Sequence, residues 1–108
     1  MNLKEIKEEI ANTLQDINNT QNKLKVDELN HDKLKFEYDT ELLKIMYSEE
    51  YSKIKAIKER EQRSKLECAD KKSELVQRKA EINSLKYDLD YYNLKLRYLF
   101  RLYDMKRY

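Results

Sequence analysis

Between Ile82 and Tyr103, apolar residues fall at Ile82, Leu85, Leu89, Tyr92, Leu96, Leu99 and Tyr103. The steps alternate between three and four. That heptad spacing lays one unbroken apolar stripe along a helix. A second stripe runs beside it at Tyr87, Tyr91, Leu94, Tyr98, Leu102 and Met105. Lys86, Asp90, Asn93, Arg97, Arg101 and Asp104 make the only long polar stripe. A helix apolar on two faces packs on two sides. The pattern therefore predicts a seam along one face and a further interface on the other.

An earlier, weaker seam runs through Leu3, Ile6, Ile10, Ile17, Leu24, His31, Leu34, Tyr38 and Ile45, with Leu14 and Leu42 alongside. Its remaining core slots hold Thr13, Thr20, Asp27 and Glu41. Asn18, Asn19, Thr20 and Asn22 are mediocre helix formers, so its middle reads as thin. Ser48 precedes Glu49 and Glu50, which suits an N-cap followed by acids in a first turn. A break is expected near Tyr47–Ser48, with a helix starting at Glu49 or a few residues later.

Two arrangements follow. One is an antiparallel hairpin; the other is a single helix of about 105 residues, roughly 150 Å long. A turn centred near residue 51 sets position i opposite 102 − i. Ile17 then meets Leu85, Ile10 meets Tyr92, Ile6 meets Leu96 and Leu3 meets Leu99. The polar stretch 18–33 meets 69–84, where Lys71 and Arg78 fall in core slots. Strong parts meet strong parts, which favours the hairpin. The expected fold is all-α: a long antiparallel two-helix coiled-coil hairpin, oligomerising into a helical bundle, with a short extra helical piece near the turn. It forms one domain over 1–108, with arm 1 at about 3–47, the turn region at about 47–56 and arm 2 at about 57–106. The hairpin seam is Leu3, Ile6, Ile10 and Ile17 against Leu85, Leu89, Tyr92, Leu96 and Leu99.

Composition supports long helices. There is no Gly and no Pro, and 41% of residues are charged. A mean hydropathy of −1.04 raises disorder as a competitor, but the apolar residues are too regularly placed for that. Net charge is only +2, yet residues 1–50 carry 7 Lys against 12 acids, whereas 51–108 carry 16 Lys or Arg against 9. Oppositely charged arms attract when folded together.

Reaction chemistry is thin. His31 is the single histidine and sits on the seam with no ligand partner at helical spacing, so no metal site is expected. Cys68 is the single cysteine and forms no intramolecular disulfide. Lys65, Lys71 and Lys72 could favour its thiolate, though a buried seam residue fits better. Without Gly there is no phosphate-cradling loop. No enzyme activity, cofactor or small-molecule ligand is expected. The N-terminus is charged from Lys4, unlike a signal peptide, and no apolar run approaches a membrane span. An intracellular protein without membrane contact is expected.

The C-terminal stretch interleaves Tyr87, Tyr91, Tyr92, Tyr98, Phe100, Tyr103 and Tyr108 with Lys86, Lys95, Arg97, Arg101, Lys106 and Arg107. Rings with cations can hold a single strand by stacking and phosphate contact, which would make Lys95, Arg97 and Arg101 nucleic-acid contacts. Tyr and Arg are equally enriched where proteins meet proteins. Most of these tyrosines lie on the apolar stripes, which favours a protein interface at Tyr91, Leu94, Tyr98, Leu102 and Met105. A homodimer or homotetramer is expected, with Phe36 doing similar work nearer the turn.

The stretches KIKAIKEREQRSKLE (Lys53–Glu67) and LDYYNLKLRYLF (Leu89–Phe100) resemble small coiled-coil accessory proteins. These come from the early replication and recombination regions of phages of low-GC Gram-positive bacteria. The resemblance covers roughly residues 36–103. Members often carry a Gly- or Pro-containing loop that this chain lacks. The resemblance implies a phage accessory protein in the bacterial host cytoplasm. Such a protein would bind a host or phage protein of replication, recombination or defence, or else nucleic acid in a recombination module.

Overall fold

The computed structural model describes residues 1–53 and 56–107. Ile54 and Lys55 of the expected turn, and Tyr108 of the aromatic series, lie outside the described residues. The described residues form four helices and no strand: α1 (Leu3–Met46), α2 (Glu49–Ser52), α3 (Ile57–Glu67) and α4 (Ala69–Arg107).

Side chains set the start of α1 and the break between α1 and α2. Asn2 caps α1, its Oδ1 accepting from the Glu5 N–H at 2.8 Å. The break expected at Tyr47–Ser48 is present. The Ser48 hydroxyl donates to the Ile45 carbonyl at 2.8 Å and accepts from the Tyr51 N–H at 3.5 Å. It thus closes α1 and opens α2, which is the short helical piece near the turn. The sequence pattern did not show the step between α3 and α4. At Cys68 the backbone leaves helical geometry, with φ −95° and ψ 15°. Cys68 N–H still donates to the Ser64 carbonyl, and Lys72 N–H to the Cys68 carbonyl. The hydrogen-bond ladder therefore passes through the step.

The chain forms two compact units, Met1–Asp27 with Glu81–Tyr108, and Glu28–Ala80. In the first, Glu9 pairs with Lys95 at 3.4 Å, and Lys7 lies 5.9 Å from the Tyr103 ring. The N-terminal segment thus meets the end of α4 antiparallel. Ile6, Thr13, Ile82 and Leu99 are buried there. In the second unit Tyr38, Cys68 and Leu75 form the core, with Leu34, Leu42 and Ile45 packed on it. Lys72 covers the Tyr38 ring at 5.8 Å.

These contacts depart from a turn centred at 51 by different amounts. A turn centred at 51 would put Lys7 opposite Lys95 and Tyr38 opposite Ser64. Instead Lys7 reaches Tyr103 and Tyr38 meets Lys72. Glu9, by contrast, pairs with Lys95, within two residues of that arrangement, so the offset is not one uniform slide. Leu3, an expected seam residue, is exposed. Tyr51 is buried and donates its phenol hydrogen to Glu67. This bond ties α2 to the end of α3.

Polar residues in the seam are accommodated by short side chains. Thr13 and Ser64 are fully buried. Their hydroxyls donate to the Glu9 and Arg60 carbonyls one turn back, each at 2.7 Å. Thr20 does the same to Asp16. A hydroxyl bonded within its own helix can be buried without needing a partner across the seam.

Candidate interaction face

The residues of the second stripe stand clear of the seam. Tyr87, Tyr91, Leu94, Tyr98 and Met105 are 60–76% exposed, on the same helix whose Ile82 and Leu99 are buried. Steps of four, three, four and seven keep them on one side of α4. Leu102 is half-buried and lies between this face and the seam. Tyr91 stands edge-on to half-buried Tyr92, with ring centroids 5.6 Å apart and planes at 60°, which holds one exposed ring against an anchored one. Phe100 is also exposed, farther round the helix. An apolar row of this length on one exposed helix face is the usual mark of a protein contact.

The cations proposed for nucleic acid are not equivalent. Lys95 is half-buried and paired with Glu9, so its charge already has a partner within the chain. Arg97 and Arg101 are exposed, with the carboxylates of Asp90 and Asp104 on the same exposed surface. Lys7 lies over the Tyr103 ring, which occupies one face that a base would need.

The groups that could carry reactions are held quietly. His31 is half-buried, with Nδ1 3.6 Å from Asp32 Oδ1, beyond hydrogen-bond reach. Burial, with Glu41 nearby, pushes the Cys68 thiol up, and this outweighs the opposing pull of Lys71. Lys71 bonds Glu41, which raises the lysine above its ordinary range. Its charge is therefore committed to Glu41, and Cys68 sits in the seam as a small apolar residue. Among the described residues, no group of three His, Cys, Asp or Glu could hold a metal ion. No described helix is long and apolar enough to cross a membrane.

A further apolar row lies in the second unit. Leu29, Phe36 and Leu43 repeat every seven residues along one face of α1 and are exposed. The sequence reading found Phe36 alone. Its flanking members at i − 7 and i + 7 were the signal that places it in a row. No family model matches the chain, no curated protein matches its sequence, and no solved structure matches its fold.

Proposed function

We propose that this chain is a non-enzymatic interaction protein that docks a host or phage protein through the outer face of α4. The observation that carries this reading is the row Tyr87, Tyr91, Leu94, Tyr98 and Met105, apolar, periodic and uncovered. Tyrosines of this kind bring large contact area with few rotatable bonds, which is why they dominate interface energetics. Assembly into a helical bundle would use the same face. The resemblance of Lys53–Glu67 and Leu89–Phe100 to phage accessory proteins gives the setting: a bacterial host's cytoplasm, with replication, recombination or defence as the process modulated.

The test is affinity capture with the intact chain and with a variant carrying Leu94→Lys and Tyr98→Lys. Both residues are exposed, so the variant keeps its fold, as far-ultraviolet circular dichroism will show. Loss of every specifically retained protein and of self-assembly supports the reading. Retention of all of them by the variant overturns it.

A further inference from the structure

We propose that the occupant of the α4 outer face is a second copy of this chain, packed antiparallel so that Asp90 of each copy meets Arg97 of the other. This rests on the reading of that face as a docking surface and adds its partner and its register.

Tyr91, Leu94, Tyr98 and Met105 have the three–four–seven spacing of a coiled-coil core, yet they stand 60–76% exposed among the described residues. Such a row can interdigitate with its own image. A two-fold axis is the default way for identical chains to meet, and it makes each contact occur twice. The row fixes the face, and the charges beside it choose the direction and register.

Asp90, Arg97 and Asp104 follow one edge of the row at seven-residue intervals, and all three are exposed. In an antiparallel pair, like edges meet. An axis level with Arg97 would set that residue against itself and Asp90 against Asp104. An axis level with Asp90 would set two Asp90 carboxylates together. An axis between Tyr91 and Leu94 instead sets Asp90 against the second copy's Arg97, and the reverse. That register packs Tyr91 on Leu94 and Tyr87 on Tyr98. Slipping by one heptad either way therefore juxtaposes like charges, which is how helix pairs reject wrong registers. A parallel pair would ask Asp90 to meet Lys95, whose ammonium is already 3.4 Å from Glu9.

The experiment is sedimentation equilibrium on the full chain at low ionic strength, where exposed pairs are least screened. The proteins compared are wild type, Asp90→Arg, Arg97→Asp and the combined reversal. The expected result is a wild-type dimer whose dissociation constant rises at least about tenfold in either single variant and returns to within about threefold in the combined one. The two residues are seven apart on one helix, about 10 Å along its axis, so the rescue reports contact between chains. A protein monomeric at every concentration overturns the inference. So does a dimer indifferent to the single reversals, or one that the combined variant fails to restore. If the chain is monomeric while Leu94→Lys with Tyr98→Lys still loses a captured protein, self-pairing fails and the docking reading stands.

Discussion

Glu41 and Lys71 occupy core-facing positions on α1 and α4 and bond each other across the seam. Each is charged where an apolar side chain would pack better. Removing one partner leaves the other partly desolvated and without this bond, whereas removing both can be neutral or stabilising. We expect Glu41→Ala and Lys71→Ala each to lower the thermal midpoint, and Glu41→Leu with Lys71→Leu to raise it above wild type. Melting curves of the three variants, followed by circular dichroism, check this. A double variant that melts below both singles would show the pair to be a net stabiliser.

The phenol of Tyr51 donates to Glu67, and that bond, with burial, pushes its pKa up to about 12. An unfolded tyrosine loses its proton near about 10. The folded state therefore binds more protons than the unfolded state between those values. Stability supplied by this bond is complete below about pH 10 and falls as pH rises through about 12. An ultraviolet phenolate titration should show one late-ionising tyrosine that disappears in Tyr51→Phe. The alkaline loss of stability should be shallower in that variant. The raised Lys71 pKa acts in the same direction, so Tyr51→Phe will not abolish the loss.

The face assignments were legible in the sequence, because three–four spacing is a direct image of helical geometry. The register was not. A seam repeating every seven residues presents the same face after sliding one heptad, so spacing alone does not set which residues meet. Thr13 and Thr20 read as polar slots in a weaker seam, because a sequence does not show that their hydroxyls bond one turn back. The step at Cys68 was invisible for a related reason: its hydrogen bonds and its heptad both continue. The outer face of α4 was read from spacing alone, and its exposure now gives it physical content.

Cys68 is buried beneath the α1 seam, with its thiol held above the ordinary range. Both effects suppress thiolate attack. In native buffer it should react with a disulfide reagent far more slowly than a free thiol at the same pH, and reach the free-thiol rate in denaturant. A native rate equal to that of free cysteine would mean that the α1–α4 seam opens readily at this point.

Leu94 and Leu99 lie five residues apart on α4, one 63% exposed and the other 2%. Truncating buried Leu99 to Ala removes packed methyl groups and leaves a cavity, at a cost of about 2–4 kcal/mol. Leu94→Ala removes the same atoms from a surface that the chain itself leaves open, so its cost within one chain is under about 0.5 kcal/mol. Urea unfolding at low protein concentration should show that contrast. Raising the concentration should then separate the two again. If a second copy covers Leu94, the wild-type midpoint climbs with concentration, because association stabilises whatever it binds. The Leu94→Ala midpoint climbs less, while the Leu99→Ala midpoint stays low but keeps the wild-type slope. Midpoints that ignore concentration in all three proteins would leave the α4 face uncovered by self-association.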